Sequence, residues 1–313
     1  MSIQDRIRKI ALWLGFSAIA LMLTLPQIFN AYNDILQQYL IGGYQAGAEK
    51  RTDAELEKAK TETEAYNRTI YERQKEQPFT YQGENMADDV YRSLLCMDAS
   101  SNVMGSVRVP SAGIHLAIAH GTSSDDLRFE AGHLYGTSLP WGGKNTHAVI
   151  AGHTGLKSAD LFTGLREVKR GDVFYIDVLD EIHEYTVDQI EVVIPEDEDP
   201  YLQIKEGEDL VTLYTCTPYG INDHRLMVRG HRTGTKRQER ARGGVISSKK
   251  IPCDRVILFL LGLLAPVGIF FLGMVRYVRY VKICRGKQKQ ERVNETETTQ
   301  GTGQVHVREK EKI

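Results

Sequence analysis

The chain has 313 residues, a formal net charge of −2 and 42% hydrophobic residues, enough apolar material for one sizeable domain with appendages. A near-neutral balance excludes a dedicated nucleic-acid binder, which needs a basic face to meet phosphates. The four cysteines show no CxxC spacing, so neither a zinc site nor a disulfide framework is expected.

In chain order, residues 1–9 carry Arg6, Arg8 and Lys9 ahead of Ile10–Phe29, a charge-free run of about 20 residues, long enough to cross a bilayer core. The run fits an anchor or a signal peptide; its length and the lack of a small-residue cleavage site favour the anchor. Residues 30–76 predict a juxtamembrane helix over Ala31–Gly43, ending at Gly42-Gly43, then an amphipathic helix within Glu49–Glu76. Leu56, Ala59, Thr63, Tyr66 and Ile70 share one stripe of the latter, and Gln77-Pro78 ends it. Residues 77–103 form a mixed segment and linker with a short helix near Asp88–Leu95.

Residues 104–232 turn to strands. Apolar and polar residues alternate, or β-branched residues cluster, over Gly105–Val109, Ile114–Ala119, Thr146–Ala151, Val173–Val178, Glu184–Ile194, Leu210–Cys216 and Arg225–Gly230. One helix, capped by Ser158 and running to Leu165, interrupts them. Many short strands with few helices predict a mainly-β, closed or nearly closed barrel rather than a parallel α/β sheet. Residues 233–255 are a basic linker, Val256–Val275 is a second charge-free run of spanning length, and Arg276, Arg279, Lys282, Arg285, Lys287 and Lys289 follow. Basic residues beyond both runs place the two ends in the cytoplasm and the large middle portion outside. The linker's own basic residues run against this, but long domains translocate largely regardless of charge. The tail within 276–313 is polar, charge-rich and expected to be disordered.

Chemistry concentrates at Cys216. The strand Leu210-Val211-Thr212-Leu213-Tyr214-Thr215-Cys216 is apolar and β-branched, and Thr217-Pro218-Tyr219-Gly220 stops it, leaving the thiol at a rim. A strand from His224 to Arg232 follows across a short loop, so antiparallel pairing brings an arginine close to the sulfur. A strand-end thiol beside fixed positive charge is placed to act as a thiolate nucleophile. Such a thiol needs a base or charge partner, and there are nine histidines. His115 and His183 lie inside alternating strands and His306 in the tail. His120, His133 and His147 fall in or beside loops. His153 differs: it ends an apolar strand in Ala148-Val149-Ile150-Ala151-Gly152-His153-Thr154-Gly155, where glycines let the backbone turn and present the ring at a rim. The pattern alone also fits an ordinary loop histidine.

Thr212-Leu213-Tyr214-Thr215-Cys216 resembles the TLxTC signature of the sortases, Gram-positive cysteine transpeptidases, with Arg225 at the usual short distance beyond. His153 in its Gly-His-Thr-Gly setting matches the family histidine. Gly132–Pro140 and Cys216–Asn222 are similar to the pilus-assembling, class C branch. The resemblance implies an eight-stranded barrel whose groove binds an LPxTG-type sorting signal; no cofactor is expected, and no acidic cluster with a ligand pattern stands near His153 in the sequence to suggest a metal. Cys216 would form a thioacyl-enzyme and an amine, a pilin lysine in that branch, would resolve it. His153 would serve as acid and base, Arg225 as donor to the substrate backbone or oxyanion, and Thr215 would shape the groove. Arg229 is expected to be a groove-edge or structural residue, and His224 to pair with a rim carboxylate.

Class C sortases usually carry an Asp-Pro-aromatic lid. Here Gln77-Pro78-Phe79 resembles it with an amide in place of the acid, so Phe79 packing is expected to close it; read as local structure, the same residues are a helix-ending turn. Two other readings stand beside pilus assembly: attachment of surface proteins to a cell-wall precursor, and a membrane-anchored scaffold whose cysteine is ordinary core. A papain-like protease is disfavoured because it places cysteine before histidine. The expected setting is a multi-pass membrane protein with its catalytic domain outside the cell.

Overall fold

The computed structural model describes residues 3–80, 88–98, 100–124, 126–154, 159–238, 268, 270–283 and 286. Alternating apolar and polar residues shape eight strands: β1 Val103–Val109, β2 Ile114–His120, β3 Ala131–His133, β4 Thr146–Ala151, β5 Val173–Val178, β6 Glu181–Val193, β7 Asp209–Thr217 and β8 His224–Arg237. They close into a barrel in the order β1-β2-β3-β4-β7-β8-β6-β5. The β2–β3 and β4–β7 pairs are parallel and the others antiparallel. The interior is filled by one face of each strand, including Val107, Leu116, Ile118, Ile150, Phe174, Ile176, Tyr185, Val211, Leu213 and Val228.

Three helices precede the barrel: α1 Ile3–Glu49, α2 Asp53–Glu76 and α3 Asp89–Ser93. Helix α2 starts on a capping box, in which the Glu55 N–H donates to Thr52 Oγ1 at 3.2 Å and the Thr52 N–H donates to Glu55 Oε2 at 2.7 Å. Such a cap is typically worth about 1 kcal/mol. The predicted stripe packs on the barrel, with Leu56, Thr63 and Ile70 buried and Ala59 and Tyr66 partly so. Asn67 adds two bonds to the backbone of Leu139. Lys60 reaches Asp180 and Glu181 at 3.1 and 3.0 Å. The helix ends at Gln77, because the residue before a proline is pushed out of the helical region.

Several expectations need correction. No helix ends at Gly42-Gly43: α1 runs on to Glu49, because Ile41, Tyr44 and Ala48 are buried, Ile41 and Tyr44 beside Val103 and Ala117. That burial outweighs the roughly 1 kcal/mol a mid-helix glycine costs. Of the helix expected over Ser158–Leu165, Ser158 lies outside the described residues, and the rest holds only a 3-10 turn over Thr163–Glu167; Leu161 sits at φ 38°, a left-handed conformation no right-handed helix tolerates. Strand β3 has only three residues and was not expected from alternation. β6 and β8 extend together to the Glu181–Arg237 pair, five residues past the expected barrel end at 232.

The chain divides into residues 1–28 with 257–313, and residues 29–256. The first apolar run lies within α1, and several of its side chains are outside the description. Among the described residues no helix is long and apolar enough to cross a membrane. Most of Val256–Val275, the linker from residue 239 and nearly all of the tail lie outside the described residues.

Candidate active site

The site lies where β4 and β7 end and β8 begins, three strands adjacent in the barrel. On β7, Val211 and Leu213 point into the core, so alternation turns Thr212, Tyr214 and Cys216 outward. β7 stops at Thr217, one residue past the half-buried Cys216. Antiparallel pairing with β8 sets Arg225 directly opposite Cys216, Met227 opposite Tyr214 and Arg229 opposite Thr212.

On the other side, β4 runs parallel to β7 with Ala151 level with Tyr214. The ladder continues past the strand end: the Gly152 N–H donates to the Tyr214 carbonyl at 3.0 Å, and Thr215 Oγ1 donates to the Gly152 carbonyl at 2.6 Å. The same register carried one residue further brings His153 level with Cys216. Thr215, buried, thus ties the histidine loop to the cysteine strand. Gly152 has no room for a side chain, because a Cβ there would lie 2.8 Å from the buried Phe162 ring. The Phe162 N–H also holds the His153 carbonyl at 3.0 Å. Partial burial pulls the His153 pKa below the ordinary imidazole value, favouring the neutral ring at pH 7.

Arg225 is fixed by three contacts. Its Nε donates to Tyr214 Oη at 2.9 Å, and its Nη1 to the carbonyls of Asn222 and His224 at 3.2 Å each. Tyr214 Oη in turn donates to Glu198 Oε2 at 2.6 Å, and that carboxylate lies 4.0 Å from Arg225 Nε. Burial raises the Glu198 pKa, with Tyr214 and Arg225 opposing it. Glu198 stands on the connection between β6 and β7, beside short 3-10 turns at Pro195–Asp197 and Asp199–Tyr201.

Below this cluster, the outer face of the same strands carries a second apolar patch. Phe79, 8% exposed, packs with Leu134, Val149, Leu202 and Met227, against Tyr214, Tyr201 and Val193. Gln203 clamps its backbone, accepting from the Phe79 N–H and donating to the Phe79 carbonyl, both at 2.8 Å. Gln77 and Pro78 are exposed, and the hydrogen bonds of Arg225 run to Tyr214, Asn222 and His224 rather than to Gln77.

The three histidines expected beside loops are buried structural groups instead. His147 bridges the Gln203 carbonyl at 2.8 Å and Thr212 Oγ1 at 2.7 Å. His133 meets Tyr91 Oη and the Ser138 carbonyl, and His120 the carbonyls of Asn102 and Leu94. Burial drives His133 and His147 down to about 4. Arg229 forms a two-pronged pair with Asp188 at 3.0 and 2.8 Å, and His224 meets Asp223 at 2.8 Å. Tyr214, Glu198 and Gln203 were not singled out from the sequence. Alternation from Cys216 puts Tyr214 on the same face, and the acidic run Glu196–Asp199 was a signal for the second; Gln203 carried none.

Comparison with known proteins agrees with this architecture. A family model described as the sortase domain matches residues 107–233. The crystal structure of sortase C from Streptococcus pneumoniae is 39% identical, with the match covering 63% of this chain and 97% of that one at a TM-score of 0.55. A lid mutant of sortase C1 from Streptococcus agalactiae is 36% identical, covering 62% of this chain and 97% of that one at a TM-score of 0.56. Sortase A of Bacillus anthracis is 26% identical over 200 residues, 63% of this chain and 92% of that protein.

Proposed function

The chain belongs to the sortase family of cysteine transpeptidases, and on that premise we propose that it polymerises pili by joining LPxTG-type sorting signals to a lysine amine of the next pilin. The observation that carries the reading is the direct pairing of Cys216 with Arg225 across β7 and β8, with the end of β4 that leads into His153 running parallel beside β7.

In the proposed reaction the Cys216 thiolate attacks the threonine carbonyl of the Thr–Gly bond. The C–N bond breaks as His153, which has taken up the proton of the Cys216 thiol, gives that proton to the departing glycine amine, leaving a thioester on Cys216. The incoming amine then attacks that thioester, His153 takes up its proton, and the C–S bond breaks to release an isopeptide and regenerate the thiolate. Arg225 donates to the oxyanion that develops in both steps, a role whose removal typically costs about 3 to 4 kcal/mol. A guanidinium suits it, because it keeps its charge in a partly dry groove and offers several donors in fixed directions.

Phe79 supports assignment to the pilus branch. It occupies the sheet face just below Cys216, where an extended sorting signal would lie, and so acts as a lid held by packing and by Gln203. Pilin is the substrate named for the Streptococcus pneumoniae relative. The charge-free runs Ile10–Phe29 and Val256–Val275, with basic residues beyond each, support two membrane anchors with the barrel outside the cell.

Mass spectrometry of the protein incubated with an LPxTG-type peptide tests the chemistry: a thioacyl adduct on Cys216 is expected, and unmodified Cys216 with intact peptide refutes it. Adding a pilin as the amine donor should give ladders of covalent oligomers. Transfer only to a cell-wall precursor peptide would assign the enzyme to surface-protein attachment instead.

A further inference from the structure

Arg225 is held by more than its own strand. A guanidinium has five N–H groups in one plane, and here Nε and Nη1 are engaged by Tyr214, Asn222 and His224. Nη2 has no acceptor among the described residues. The two backbone carbonyls come from the turn into β8 and from β8 itself, so they steady one edge. The other edge depends on Tyr214 Oη, which can accept from Arg225 Nε only while its own proton points elsewhere. Glu198 Oε2 takes that proton at 2.6 Å. The carboxylate side chain is only 13% exposed and lies 4.0 Å from Arg225 Nε, so it both orients the phenol and balances part of the guanidinium charge.

We propose that Tyr214 and Glu198 are positioning residues: together they lock the plane of the Arg225 guanidinium and leave Nη2 free for the reacting carbonyl beside Cys216. The inference deepens the proposed function and rests on Arg225 acting as a donor there. It also assigns a role to the residue between Leu213 and Thr215, the unspecified place in the TLxTC pattern. An aliphatic side chain at that place could pack on the sheet but could neither accept from Nε nor pass a proton to a carboxylate. The acid facing Arg225 therefore comes from the connection between β6 and β7, while Gln77 stays exposed.

The relay makes one chain of contacts, Glu198 to Tyr214 to Arg225, so cutting either link should have the same consequence. The test measures kcat and KM of the full-length protein in detergent on a fluorogenic peptide containing LPETG, with thermal midpoints recorded alongside. Tyr214→Phe and Glu198→Ala should each lower kcat about 10-fold with KM within about twofold, the signature of a donor displaced in the transition state. The double variant should be no slower than the slower single one, since the second cut falls on a chain already broken. Glu198→Gln, which keeps an acceptor for the phenol without the charge, should fall between wild type and Glu198→Ala. Unchanged kcat in Tyr214→Phe, losses confined to KM, or losses that multiply in the double variant would each overturn the relay. Arg225→Ala separates the two levels. A wild-type kcat in Arg225→Ala, or an inert wild type, sinks the proposed function and the relay with it. A crippled Arg225→Ala beside unaffected Tyr214→Phe and Glu198→Ala sinks the relay alone.

Discussion

Replacing Phe79 with alanine should open the groove beside Cys216. The ring is 8% exposed and packs on Val149, Met227 and Leu134, and it passes so close to Gly136 that a Cβ there would lie 3.1 Å from it. A phenylalanine buried to this extent removes about 150–250 Å² from water, and truncating one to alanine costs about 3–5 kcal/mol in a core. The segment keeps its two bonds to Gln203, each worth about 1 kcal/mol net, so the closed state should lose about 3 kcal/mol. At 1.4 kcal/mol per power of ten, the balance between closed and open shifts roughly 100-fold. The assay is kcat/KM for cleavage of an LPxTG-type peptide with the thermal midpoint measured in parallel. Cleavage should accelerate by up to about 100-fold, while the midpoint falls only a few degrees, because the barrel interior is untouched. Gln203→Ala, which removes both clamp bonds and the bond Gln203 makes to the Asp199 carbonyl, should give a smaller gain of about 30-fold. An unchanged or lower kcat/KM in Phe79→Ala, together with a lower midpoint, would mean that the ring merely braces the sheet and does not gate it.

Arg225→Lys keeps the charge but loses the planar fork that reaches Tyr214, Asn222 and His224; kcat should drop by about 100-fold, and near-normal turnover would show that charge alone suffices. Gly152→Ala drives a methyl group into the Phe162 ring, so we expect about 1–3 kcal/mol of destabilisation and loss of peptide cleavage as His153 shifts. Wild-type activity in that variant would contradict the close packing. Acid should unfold the protein early. His133 and His147 titrate at about 4 in the fold and His183 at about 3, all below the unfolded value. Their contribution is therefore complete above about pH 6.5 and lost as pH falls through the folded values. Each shift is worth about 3 kcal/mol or more. The Glu130 carboxyl, raised to about 7 by burial, opposes this, its contribution fading as pH rises from the ordinary carboxylate value. A thermal midpoint that stays flat between pH 6.5 and 4 would refute the histidine account, and His147→Gln should shallow the slope.

Most of the barrel was legible because its strands bury one face. The expected bounds of Thr146–Ala151 and Val173–Val178 match the observed strands to the residue. The turn at Pro218 and the short return strand made an arginine close to the cysteine readable from spacing, and the resemblance to the sortase motif singled out Arg225. His153 was legible through its glycines, and the packing of Phe162 on Gly152 now gives the reason for one of them. What escaped had no local period. Strand β3 is too short to alternate. His147, His133 and His120 looked like loop residues because their partners lie 5 to 65 positions away in the chain.

Local rules were therefore sufficient for the barrel class and for the strand that ends at Cys216, since side-chain period and turn chemistry act between near neighbours, whereas His153 and Arg225 were picked out by the resemblance to the sortase motifs. Closure was another matter: the parallel register of β4 on β7 levels His153 with Cys216, and it joins segments some sixty residues apart. Equally, Glu198 meets Tyr214 and Phe79 meets Met227 only once the sheet has curled and its outer face has been covered. Those contacts come from packing among distant segments, which no short window of residues encodes.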